Sequence, residues 1–241
     1  MKITFVGASH GVPEPDRKCS CIMIETGENI YFIDMGASSV EALRKRGKDI
    51  NKVKGVFITH MHGDHINGLV QMVDLITWYF KTPDPVIVLP DTRAKEIIDD
   101  WLDVTMNGKK QTLRYEKTAP GVVFDDGVLK MTAYPTQHCP NSFAYLAEAE
   151  GKRVLFTGDL KNPKIDFPKE VLDEKTDLII CESAHFPATD YEEVFENKEI
   201  ESVCVTHYSD RFLRDVVTLI EKLREKGISA RRANDDLEIA L

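Results

Sequence analysis

Residues 60–69 read HMHGDHINGL and place three of the chain's seven histidines, with one aspartate, in six consecutive positions. The stretch follows the apolar run Val53–Ile58, so His60 and His62, two apart in extended chain, project to the same side. Gly63 permits a sharp turn. Asp64 and His65 then open a helical pattern carried by Ile66, Leu69, Val70 and Val73. Imidazole nitrogens and a hard carboxylate therefore meet between a strand end and a helix start. This donor chemistry suits zinc and also accepts manganese or iron.

Six residues cannot complete two such sites, so further ligands are expected at other strand ends. Three candidates fit: His138 after Tyr134–Gln137, Asp159 after Phe156-Thr157-Gly158, and His207 after Val205-Thr206. An internal echo points the same way. "NIYFIDMG" ends a strand on Asp34 and "VFITH" ends the next on His60, while "RVLFTGDL" and "VCVTH" repeat the pattern with Asp159 and His207. Such a repeat would bring four polar strand ends to one edge of a pair of sheets.

The rest of the chain supplies the frame. Strand-like runs stand at Ile3–Val6, Ile22–Glu25, Ile30–Ile33, Val53–Ile58, Val86–Leu89, Val128–Ala133, Phe143–Leu146, Arg153–Phe156, Leu178–Cys181 and Ser202–Val205. Many are dense in apolar residues, as strands buried on both faces are. Asp91 caps a helix whose Ala94, Ile97, Ile98, Trp101 and Leu102 recur at helical spacing. Leu213, Val216, Val217, Ile220 and Leu223 repeat that pattern, and both stripes read as core. Strands mixed with helices from end to end indicate an α/β layered fold, read as one domain over 1–241.

Composition narrows the function. With 42% apolar and 29% charged residues the chain is that of an ordinary globular protein. No apolar run approaches the roughly 20 residues of a membrane span. The formal charge of −9 argues against a long nucleic acid as partner and leaves a small-molecule substrate. Five scattered cysteines and no signal peptide fit a reducing cytoplasm; Cys19 and Cys21 read as free thiols, since no second pair stands at metal-binding spacing. Assembly into a homo-oligomer stays open.

HxHxDH followed by His, Asp and His after strands resembles the metallo-β-lactamase superfamily, over essentially the whole span from Asp34 to His207. The resemblance implies an αββα four-layer sandwich, two mixed sheets flanked by helices, with two divalent ions at the sheet edge. It implies that His60, His62 and His138 hold one ion, that Asp64, His65 and His207 hold the other, and that Asp159 bridges them. Asp34 would orient ligands rather than bind metal. A pair of ions sharing a carboxylate lowers the pKa of water enough to provide a bridging hydroxide near neutral pH, so the implied reaction is hydrolysis. Asp159, where many true β-lactamases carry cysteine, argues against antibiotic hydrolysis. The retained His62 argues against a redox diiron site.

Within that superfamily "VGASHGVPEPDRKCSCIMIE" and "THYSDRF" resemble the RNase Z-like phosphodiesterase branch, which implies that Arg211 meets an anionic group of the substrate. The branch also carries a glutamate motif at "CESAHF", which places Glu182 and His185 as catalytic candidates beside Asp64, with His185 protonating the leaving alkoxide. Two features depart from RNase Z. His138 and Asp159 are only 21 positions apart, too close for the arm that grips transfer RNA, and the His-Ser-Thr loop before the last histidine is missing. The expectation is a phosphodiesterase for a small phosphodiester or nucleotide. The alternative is a hydrolase of a carboxylic ester, lactone or thioester, of lactonase or glyoxalase II type; a transfer RNA endonuclease or a non-catalytic binding module fits less well.

Overall fold

The strands alternate between two apolar environments, which is why so many of them read as continuous apolar runs. A computed structural model describes residues 1–108 and 113–241. In chain order the strands are β1 (Lys2–Gly7), β2 (Cys21–Thr26), β3 (Asn29–Ile33), β4 (Val53–Phe57), β5 (Val86–Leu89), β6 (Arg114–Lys117), β7 (Gly121–Asp125), β8 (Lys130–Thr136), β9 (Ser142–Ala149), β10 (Lys152–Phe156), β11 (Leu178–Ser183), β12 (Ser202–Tyr208), β13 (Ser229–Arg232) and β14 (Glu238–Ala240). They form two seven-stranded mixed sheets, in the orders β14-β1-β2-β3-β4-β5-β6 and β13-β12-β11-β10-β9-β8-β7.

Phe5, Ile24, Tyr31 and Phe57 of the first sheet meet Met131, Tyr145, Phe156 and Ile180 of the second in a common core between the sheets. The alternate residues face outward. Met23, Phe32, Val56 and Ile87 pack beneath helices α1 (Ser39–Lys45), α2 (Gly63–Leu75) and α3 (Arg93–Val104). Leu146, Leu155, Ile179 and Val205 pack against Val216, Leu219 and Leu223, after the short helix α4 (Pro163–Asp166), on helix α5 (Leu213–Glu225). The result is the expected αββα four-layer sandwich.

The internal echo holds in topology with one correction. In each sheet three antiparallel pairings give way to three parallel ones: β14-β1-β2-β3 then β4, β5 and β6, and β7-β8-β9-β10 then β11, β12 and β13. Asp34 and Asp159 follow the equivalent strands β3 and β10. His60, however, follows β4, whereas His207 lies in β12, one strand further on than the equivalent β11. The Thr-His likeness falls on non-equivalent strands.

All ten expected strands are present within a few residues. The four that escaped notice, β6, β7, β13 and β14, are the four sheet edges, and their residues are mostly exposed or polar. The N-cap of α3 is Thr92, without a side-chain cap, rather than Asp91; Asp91 stands one residue earlier, its carboxylate accepting the Arg93 N–H at 3.0 Å. The stripe on that helix is only partly core. Ala94, Ile98 and Leu102 are buried, but Ile97 is 69% and Trp101 55% exposed. On α5, Val217 likewise faces outward. Among the described residues no helix is long and apolar enough to cross a membrane, and all five cysteines are free.

Candidate metal centre

The parallel strands end at one edge of the sandwich, and the polar residues that follow them converge there. β3 ends at Ile33, and Asp34 turns the chain with φ 58, a left-handed conformation that aspartate tolerates better than most residues. β4 delivers Thr59 and the fully buried His60, and His62 stands in extended conformation as the residue before α2. Gly63, expected to make a sharp turn, is simply the first residue of that helix; its φ is not positive. The tight approach is made by Gly36 instead, where a Cβ would lie 1.7 Å from the Asp64 carbonyl oxygen. With that close packing, and the Met35 N–H donating to the His65 carbonyl at 2.7 Å, the start of α2 is pinned against the end of β3.

The second sheet contributes the facing side. His138 follows β8 and Asp159 follows β10, where Gly158 adopts φ 56 with Thr59 against it. Glu182 lies in β11, His185 just beyond it, and His207 lies in β12 with φ 46. Left-handed non-glycine residues at two of these positions are the kind of strain that concentrates at functional sites.

Two donor triads result. His60 Nε2 lies 3.1 Å, and His138 Nε2 3.2 Å, from His62 Nδ1. Asp64, His65 and His207 form the second group, with His65 Nε2 3.3 Å and His207 Nε2 3.8 Å from Asp64 Oδ2. Asp159 stands between them. Its Oδ1 is 3.6 Å from His65, and its Oδ2 is 3.7 Å from both His60 and His138 and 3.3 Å from His207.

This arrangement fits a pair of metal ions. Donors placed tetrahedrally about 2.0–2.1 Å from zinc are about 3.3 Å from one another, close to the spacing within the first triad. His65 Nε2 and Asp159 Oδ1 are buried, face each other and have no hydrogen-bond partner, as two ligands of one cation would. Burial among other imidazoles lowers the pKa of His60 to about 2, keeping its lone pair free. Burial also lowers that of His138. Burial pushes the Asp64 carboxyl up, but the hydrogen bond and charge of His65 outweigh it and hold the group at about 2.

The far edges of the rings are fixed too. Asp34 Oδ2 accepts from His65 Nδ1 at 2.7 Å, and its carboxylate takes the Thr59 N–H at 2.8 Å and the Thr59 hydroxyl at 3.0 Å. That hydroxyl lies 3.1 Å from His60 Nδ1, so one aspartate orients two histidines, directly and through Thr59. Glu182 is buried and accepts the Leu160 N–H at 2.9 Å and the Ala184 N–H at 2.8 Å. It also holds His185 Nδ1, at 2.9 and 3.0 Å from its two oxygens. That hydrogen bond outweighs the effect of burial and raises the His185 pKa to about 9. His185 lies 3.8 Å from Asp159 Oδ2, with its ring 4.6 Å from that of His138.

Arg211 does not join this cluster among the described residues: it is exposed, its guanidinium 5.0 Å from the Phe212 ring. Sequence reasoning missed Thr59, and it missed Asp166, whose carboxylate accepts from the Gln137, Lys161 and Asn162 N–H groups and so ties the His138 loop to the Asp159 loop. It also missed Arg17, buried over the Tyr208 ring at 4.3 Å and donating to the Tyr208 carbonyl at 3.1 Å beside His207. None has a local signal for its role, because each depends on a partner distant in sequence: Asp34 for Thr59, Gln137 for Asp166 and Tyr208 for Arg17.

The family described as anti-Pycsar protein Apyc1 matches residues 1–224. The chain belongs to that family. Among curated proteins, this Apyc1-family chain is 29% identical to ribonuclease Z of Listeria innocua over 165 residues, 67% of this chain and 54% of that protein. It is 26% identical to ribonuclease BN of Cronobacter sakazakii over 155 residues, 63% of this chain and 51% of that protein. It therefore spans about half the length of these relatives. Among solved structures, the short form of human tRNase Z superposes with TM-score 0.76 at 18% identity, covering 100% of this chain and 99% of that one. The metallo-beta-lactamase fold protein YhfI from Bacillus subtilis gives 0.79 at 16%, covering 99% and 98%. At such identities these likenesses establish the fold, which is that of the metallo-β-lactamases.

Proposed function

We propose that this protein is a metal-dependent phosphodiesterase with two divalent ions, most suitably zinc, acting on a small phosphodiester or nucleotide. The observation that carries the reading is the pair of donor triads sharing Asp159. His60, His62 and His138 would hold one ion, and Asp64, His65 and His207 the other. Two ions bound there supply Lewis acidity toward a phosphoryl oxygen and lower the pKa of water.

The chain's own residues supply placement and protons. Asp34 and Thr59 fix the rings of His65 and His60, so their Nε2 atoms meet the site without rearrangement. Glu182 acts through His185: by engaging Nδ1 it leaves Nε2 to donate a proton to the departing oxygen. Size selection follows from β9 and β10. They fill the interval between His138 and Asp159 as a hairpin turned at Glu150 and Gly151, both with positive φ, which leaves no inserted arm to grip a long RNA.

The test is a panel on zinc- or manganese-loaded protein: bis(p-nitrophenyl) phosphate, a cyclic mononucleotide as a small nucleotide phosphodiester, a transfer RNA precursor, a homoserine lactone and S-lactoylglutathione. Turnover confined to the two small phosphodiesters is the expected outcome. Turnover of only the lactone or thioester would replace the proposal with the carboxylic-derivative reading, and cleavage of only the RNA precursor would defeat the size argument.

A further inference from the structure

Beside the donor cluster lies a small, partly open cavity of about 20 Å³. Its walls are apolar residues of the inter-sheet core together with the donors His65, Asp159 and His207 and the hydroxyl residues Ser20 and Thr206. Thr206 lies in β12, two residues from Cys204 of the inter-sheet core, so its side chain faces inward by strand alternation. Ser20 immediately precedes β2 and lines the same cavity. Ser20 and Thr206 are buried, at 6% and 7% exposure.

His207, at 3% exposure, presents an anomaly. Its Nε2 faces Asp159 and Asp64, while Nδ1 on the opposite side of the ring is buried with no hydrogen-bond partner. The two other histidines with buried rings do not share this: His65 Nδ1 is taken by Asp34 and His60 Nδ1 by Thr59. A metal-binding histidine ordinarily donates its second N–H to a carboxylate, a carbonyl or a water. None of the three carboxylates lining the cavity serves His207 Nδ1. Asp159 faces Nε2, Asp34 already accepts from Thr59 and His65, and Glu182 from Leu160, Ala184 and His185.

We propose that the cavity is a binding site for one structural water, which accepts the Nδ1–H of His207, is held by the hydroxyls of Ser20 and Thr206, and thereby positions His207 toward the second donor triad. The volume exceeds the roughly 10–15 Å³ that a water requires, and three polar groups lie within the range of two to four partners that such waters have. Ser20 and Thr206 are thus positioning residues that act through the water on His207. The part of the inference that concerns metal affinity rests on the proposal that the triads bind ions; the water itself does not.

Crystal structures of metal-free and zinc-loaded protein, at a resolution that reveals ordered solvent, test the water directly. A fully occupied water about 2.7–3.2 Å from His207 Nδ1 is expected in both. An empty cavity, or a protein oxygen bonded to Nδ1, would overturn the inference even if the enzyme proves to be a phosphodiesterase. Chelator-competition titration of Thr206→Val and Ser20→Ala tests its role without reference to catalysis. Each should weaken the second ion by about 10–100-fold and leave the first unchanged, and Thr206→Ser should restore the native affinity. Native affinity for both ions in Thr206→Val would show that the water does not position His207. Absence of phosphodiester turnover with both ions and the water in place would count against the proposed function alone.

Discussion

Asp34 binds nothing in the cluster's interior, yet two histidines take their orientation from it, and this makes the residue a sharp probe of how the donors are held. Asp34→Ala should weaken metal binding by about 10–100-fold in a competition titration while leaving every donor in the chain. Native affinity would mean that sheet packing alone orients His60 and His65. Asp64 and His185 separate two further roles. Asp64→Asn replaces the charged donor of the second triad by a neutral amide and should depress turnover on every phosphodiester, whatever its leaving group. His185→Ala should cost on the order of 10²–10⁴-fold with a poor alkoxide leaving group and little with p-nitrophenolate, which departs without a proton. Equal losses on both substrates would assign His185 to structure or binding. These donors were legible in the sequence because a strand end and a helix start in succession fix their relative directions within six residues. Thr59, Asp166 and Arg17 were not: Thr59 acts by linking His60 to Asp34, Asp166 by joining the His138 and Asp159 loops, and Arg17 by reaching Tyr208, and none of these meetings is written in the local pattern.

Helix α3 illustrates why elements are legible in existence and less so in their facing. Its apolar residues recur at helical spacing, but only Ala94, Ile98 and Leu102 meet the sheet; Ile97 and Trp101 lie on the outer side of a stripe wider than the contact. Leu102→Ala should therefore cost about 2–5 kcal/mol in a denaturant melt, whereas Trp101→Ala should change stability by no more than about 0.5 kcal/mol. Comparable losses would place both residues in the core. The edge strands show the complementary limit. β6, β7, β13 and β14 bury too little apolar surface to impose a period of two, and their conformation comes from pairing with a neighbour that the linear pattern does not identify. Central strands carry their own signal because both faces are covered. The loop between β3 and α1 sets a further limit at Gly36. A methyl there collides with the backbone of Asp64, so Gly36→Ala should lower stability by about 1–3 kcal/mol, and it should weaken the second ion more than the first.

Across the molecule, two sheets of the same pairing pattern are stacked so that strand ends from both reach one edge, and neither sheet holds a complete set of donors. His60, His62, Asp64 and His65 come from the first sheet and its helix, His138, Asp159 and His207 from the second. Metal binding and closure of the sandwich should consequently be coupled, with zinc raising the melting temperature of the native chain and less so that of His207→Ala. The site rests on Asp159 serving both triads. Equilibrium dialysis against excess zinc followed by elemental analysis, on the native protein and on His207→Ala, tests that most directly. Two ions per chain in the native protein, falling to one in the variant with His60, His62 and His138 intact, is the expected result; a native stoichiometry that stays at one under excess zinc would contradict it.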